Sequence, residues 1–181
     1  MRPHKLFEIA FVGLKSGEHE FNYDIDDGFF EEFSQTDFRN SRLHVRLRLD
    51  KKTNFFLLNF EITGDVMVNC DRCGDPFDLP VWDEFNMVVK VVEDPTVIEA
   101  DEDPNVAYIG RHESILDVAG WVYEFSLLSI PMQRIHPDTA KGKAGCNPAV
   151  LKMLDDMRHP ESTQQNPIWK DLDKFKKIKN R

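Results

Sequence analysis

The stretch Arg42-Leu43-His44-Val45-Arg46-Leu47-Arg48-Leu49-Asp50 alternates polar and apolar side chains over its whole length. A strand sends successive side chains to opposite faces, so a period of two reads as a half-buried β-strand. Leu43, Val45, Leu47 and Leu49 face a core, while Arg42, His44, Arg46 and Arg48 face solvent. One apolar and one wet face is the pattern of an antiparallel sheet.

The neighbouring segments extend that sheet. Residues 5–14 read as a strand ending at Gly13, and residues 19–25 as a second, with Phe21, Tyr23 and Ile25 on one face. Asp27-Gly28-Phe29-Phe30-Glu31-Glu32-Phe33 reads as a helical turn or two burying its phenylalanines. Downstream, residues 54–63 are strand-rich, Gly64-Asp65 leads into Val66-Met67-Val68, and residues 85–92 make a further strand. Residues 93–105 hold six carboxylates, two prolines and no base, the composition of an acidic surface loop.

Helices come late. Ile115, Leu116, Val118, Trp121, Val122, Phe125 and Leu128 recur at helical spacing through about Ser129. Ser114 or Asp117 is placed to cap this helix, and Pro131 stops it. We read Trp121, Phe125 and Leu128 as its buried stripe. Residues 149–157 look like a second, short helix. Residues 158–167 are a polar linker, and Trp169, Leu172, Phe175 and Ile178 outline an amphipathic C-terminal turn or two. Sequential strands followed by helices predict an α+β fold. The expected protein is one antiparallel, β-rich domain over residues 1–157, with one long helix in its C-terminal half, then a linker and basic tail over 158–181.

Composition bounds the function. The chain has 181 residues, 41% hydrophobic and 30% charged, which suits a soluble globular protein. No apolar run approaches the roughly 20 residues of a membrane span, and the first residues lack the apolar core of a signal peptide. A cytoplasmic location is expected, with neither a membrane nor a small-molecule substrate as partner. The net charge is −9, yet residues 170–181 carry six basic and two acidic side chains. The body is therefore more acidic than the total. Such a body repels phosphates and suits basic proteins. The outward row Arg42, Arg46 and Arg48 is the one basic stripe on a strand, either an RNA phosphate contact or simply a solvated face. The basic tail offers a second salt-sensitive contact with rRNA, or a solubilising end.

Cys70-Asp71-Arg72-Cys73-Gly74 is the sharpest local signal. An odd total of three cysteines cannot close into a disulfide framework, so the pair is a metal or redox question. Two thiolates separated by two residues reach one tetrahedral ion, and a closed structural zinc site takes four ligands. Cys146 is the third cysteine, and His136 is the histidine nearest to it. Cys70, Cys73, Cys146 and His136 are thus the candidate ligands of one structural Zn²⁺, in a zinc-knuckle-like loop. A redox pair and a hairpin end without metal remain alternatives, although no βαβ pattern surrounds the pair as a thioredoxin-like motif requires. The sequence holds no Gly-rich phosphate loop, no His-Glu-x-x-His and no Gly-x-Ser-x-Gly, and no enzymatic activity is expected. The acidic residues at 99–103 make a poor cage for Mg²⁺.

In order, these features are a β-rich N-terminal half, Cys70-x-Arg72-Cys73 at a strand end, the strand at 85–92 and an acidic spacer. A helix running through Glu124-Phe125-Ser126-Leu127-Leu128-Ser129-Ile130-Pro131-Met132 and a closing Cys146 follow. This arrangement resembles the YceD-type large ribosomal RNA subunit accumulation proteins over roughly residues 15–155, most strongly at 66–74 and 115–148. Many members carry several cysteines after the helix; here His136 stands at one such position and only Cys146 remains. The resemblance implies a bacterial, cytoplasmic, non-enzymatic factor for 23S rRNA accumulation in large-subunit biogenesis. Its partners would be pre-large-subunit particles, through rRNA or a basic ribosomal protein. The alternative is a zinc-ribbon-like regulatory or scaffolding protein unrelated to ribosomes.

Overall fold

A computed structural model of the chain describes residues 3–34, 36–95, 103–138 and 145–158. Two compact units are distinguishable, Met1–Arg134 and Ile135–Arg181.

The first unit is built on a five-stranded sheet. Its strands are β2 (Gly17–Ile25), β3 (Arg39–Lys51), β4 (Phe55–Asn69), β5 (Pro76–Val92) and β6 (Val106–Gly110), in that spatial order. The first four pair antiparallel, and β6 runs parallel to β5. Two short strands, β1 (Glu8–Ile9) and β7 (Leu116–Asp117), form a separate pair. Helix α1 (Asp27–Glu31) follows β2, and α2 (Ala119–Leu128) follows β7. The protein is therefore mixed α+β with mostly antiparallel pairing.

The alternation at 42–50 is realised in β3: Val45, Leu47 and Leu49 are fully buried. Facing positions of β4, namely Ile62, Phe60 and Leu58, pair with them in register and are equally buried. Each such side chain removed from water contributes about 1.5–3 kcal/mol. Helix α1 closes one end of this core with Phe29 and Phe30. Asp26 caps it by accepting the Phe29 N–H. Asp27 accepts the Asn40 and Ser41 N–H groups at 2.7 Å each, fastening α1 to the start of β3.

Several expectations need correction. Residues 5–14 are not one strand: 3₁₀ turns at Pro3–Phe7 and Phe11–Gly13 flank the two-residue β1. Phe7, Ile9 and Phe11 do share a buried face, which is why the segment mimics a strand in period. Residues 64 and 65 do not divide β4, which runs through them. Gly64 lies in the sheet at φ +142°; a Cβ there would sit 2.1 Å from the Arg42 carbonyl oxygen. Glycine thus keeps the strand continuous where β3 comes too close for a side chain. β5 begins nine residues earlier than the apolar run suggested, because residues 76–84 also pair with β4, turning Phe77, Leu79 and Val81 toward the core and leaving Asp78, Pro80, Trp82 and Glu84 outside.

The expected long helix over 115–129 is a ten-residue helix instead. Leu116 and Asp117 are taken by pairing with Ile9 and Glu8. The Asp117 carboxylate accepts the Ala119 N–H at 2.9 Å. The buried stripe is Ala119, Val122, Phe125 and Ser126. Leu128 is 66% exposed and Trp121 only partly buried, so the stripe is rotated from Trp121–Phe125–Leu128. Phe125 stacks on Phe85 at 4.6 Å and meets Phe60 edge-on at 5.1 Å.

In the second unit, α3 (Pro148–Arg158) is the described element. Pro148 occupies its first position, where a missing N–H costs nothing, and the Asn147 side chain accepts the Ala149 N–H. None of its residues is buried. Most of the acidic loop (96–102), the linker and the basic tail (159–181) lie outside the described residues. No described helix is long and apolar enough to cross a membrane.

Candidate metal centre

β4 ends at Asn69 and β5 opens at Pro76, so residues 70–75 form the hairpin loop between them. The Cys70 N–H donates to the Asp75 carbonyl at 2.9 Å, and the Gly74 N–H returns to the Cys70 carbonyl at 2.8 Å. Gly74 has φ +80°, a left-handed conformation favouring glycine. This tight turn holds Cys73 over Cys70, which is itself buried.

Asp71 fastens the loop to the segment beyond α2. Its N–H donates to the Arg134 carbonyl at 2.7 Å, and its carboxylate accepts the Arg134 N–H at 2.7 Å. The Arg134 guanidinium donates to Asp37 at 2.6 Å. His136 follows two residues later in the chain. In the second unit, a Cβ on Gly145 would sit 2.4 Å from the Pro137 carbonyl oxygen. Only a residue without a side chain fits that close passage, immediately before the buried Cys146.

The ligand atoms of Cys70, Cys73, His136 and Cys146 all lie within 4.8 Å of one another. Zn–S bonds near 2.3 Å put the sulfurs of a tetrahedral site about 3.8 Å apart, so the cluster has the right size for one ion. Three sulfurs and an imidazole match zinc in softness. All four sequence candidates are brought together. Sequence reasoning missed Asp71 and Arg134, whose partnership joins positions 63 residues apart and has no local signature.

The arginine stripe has a different fate. Arg42 pairs with Asp65 at 2.5 Å, Arg46 with Glu61, and Arg48 donates to the Asn59 side chain at 2.8 Å. The hydrogen bond from Arg46 holds the Glu61 carboxyl below its ordinary range. Cross-strand partners thus occupy the stripe.

Sheet and cluster together define a β-rich α+β protein with a compact Cys₃His constellation able to hold one metal ion. The family model described as Large ribosomal RNA subunit accumulation protein YceD matches residues 58–176, more than half of the chain and inclusive of all four candidate ligands. The chain belongs to this family. No curated protein and no solved structure matches it.

Proposed function

We propose that the protein is a non-enzymatic factor supporting 23S rRNA accumulation and large ribosomal subunit biogenesis. The family match over residues 58–176 carries this reading. Cys70, Cys73, His136 and Cys146 would hold one structural Zn²⁺. Four protein ligands leave no open coordination position, the arrangement of a structural ion rather than a catalytic one. The ion's part is to hold His136 and Cys146 together with Cys70 and Cys73. Its partner is the pre-large-subunit particle, contacted through a basic ribosomal protein in preference to bare rRNA. An acidic chain whose arginine stripe already has cross-strand partners supports that preference.

Gradient sedimentation of cell extracts tests the reading. Cofractionation with precursors of the large subunit, and loss of 23S rRNA on depletion, are the expected results. A protein that stays at the top of the gradient with 23S rRNA unchanged would favour the regulatory or scaffolding alternative.

A further inference from the structure

β2 is an edge strand of unusual openness. Its nine residues pair with β3 in unbroken register from Gly17–Lys51 to Ile25–Leu43. Among the described residues, no backbone bond reaches it from the other side. Proteins usually blunt such edges with charged side chains, above all lysine, with proline, a bulge or short length. β6, the opposite edge, is five residues long; β2 is nine, with no lysine, proline or bulge, and is marked only by the carboxylates of Glu18, Glu20 and Asp24. A groove of about 510 Å³ runs along it, lined by Leu6, Phe7 and residues 20–24. Leu6 is 74% exposed there.

The chemistry of the strand selects its occupant. Glu18, Glu20 and Asp24 stand on its solvent face, and the strand contains no lysine or arginine. A second copy of β2 would set carboxylates against carboxylates, which is destabilising in a directly opposed pair. A basic strand meets the opposite situation. We propose that β2 accepts an extended peptide by strand addition, one that alternates Lys or Arg with apolar residues. Main-chain bonds to the unpaired edge supply affinity, and alternate side chains supply specificity. The basic side chains lie over Glu18 and Glu20, Asp24 being already paired with His44 at 2.9 Å, while the apolar ones face Leu6. This inference rests on the strand edge and not on the ribosomal reading.

The test uses the full chain and a nine-residue peptide alternating lysine and valine, followed by amide hydrogen exchange and fluorescence anisotropy. Expected are at least tenfold slower exchange at alternate amides of residues 17–25 and binding weakened at least tenfold in E18K/E20K. Backbone N-methylation of the valines should abolish binding. Circular dichroism of E18K/E20K confirms that the variant is folded. Binding indifferent to N-methylation would overturn the proposal in favour of diffuse charge attraction. Absence of binding would overturn it outright. Slow exchange of the same amides without peptide, in a concentration-dependent dimer, would make a second copy the occupant and also overturn it. None of these outcomes alters the gradient result above, so the two readings fail separately.

Discussion

Asp71 and Arg134 hold each other reciprocally through two hydrogen bonds of 2.7 Å, one between main-chain atoms and one from the Arg134 N–H to the Asp71 carboxylate. The pair fixes the chain two residues before His136 to a residue lying between Cys70 and Cys73. Groups that orient metal ligands typically alter affinity by 10–100-fold when removed. Asp71→Ala should therefore weaken zinc binding about tenfold in a competition titration. Asp71→Asn keeps an acceptor oxygen and should lose less. Equal affinity in all three proteins would remove Asp71 from any positioning role.

The metal assignment predicts one zinc per chain by elemental analysis. Cys73→Ser and Cys146→Ser should each reduce this well below one, because a structural site with three remaining ligands is no longer closed. A chelator should loosen the chain at His136 and Cys146 while sparing the sheet. Hydrogen exchange reads both regions at once. Unchanged exchange after zinc removal, or a purified protein without zinc, contradicts the assignment.

For α2, Phe125 is the anchor. It is buried and packs on Phe85 and Phe60, so Phe125→Ala should cost about 3–5 kcal/mol in denaturant unfolding. Leu128→Ala, at an exposed position, should stay within about 0.5 kcal/mol, with Trp121→Ala between them. A larger loss at Leu128 than at Phe125 would restore the stripe inferred from spacing.

That rotation shows where sequence reasoning stopped. The β3 alternation was legible because one face is buried and the other wet, so every residue reports its side. The residues of the Cys₃His cluster were legible because their types are rare and suited to one ion. In α2 nearly every position is apolar, so spacing alone selects no face. Leu116 looks helical but is held by Ile9, more than a hundred residues away. In 76–84 the alternation of Phe77, Leu79 and Val81 was present, but Pro76 and Pro80 interrupt it with residues that argue against a strand, and the pairing with β4 overrides them.

Gly64 provides a test of the sheet itself. Its φ of +142° is rarely adopted by other residues, and a Cβ would sit 2.1 Å from a backbone oxygen. Backbone cannot retreat as a flexible side chain can. Gly64→Ala should destabilise by about 2 kcal/mol or more, combining strain with displacement of β3. Among the described residues, none comes within 4 Å of the Cβ position of Gly13, and Gly13→Ala serves as the control, expected to change stability by less than about 1 kcal/mol. Equal melting temperatures for the two variants would contradict the close strand approach.

Tyr23 makes the stability of the core sensitive to alkaline pH. Its ring stacks on Phe7 at 4.8 Å, and its buried hydroxyl has no hydrogen-bond partner among the described residues. Burial, helped by the Asp117 carboxylate, pushes its pKa up to about 12 from an ordinary 10. The folded state thus retains its proton where the unfolded state releases it. The resulting stability is complete below pH about 10 and is lost as pH rises towards about 12. Tyr23→Phe removes both the titration and the unsatisfied hydroxyl. The variant should be more stable at neutral pH by about 1 kcal/mol, the low end of the cost of an unpaired buried polar group. Its advantage should widen above pH 10, since only the tyrosine protein pays to keep the phenol neutral. Urea denaturation of both proteins from pH 7 to 11 measures the gap; a gap that narrows above pH 10 would mean that the hydroxyl finds a stabilising partner as a phenolate.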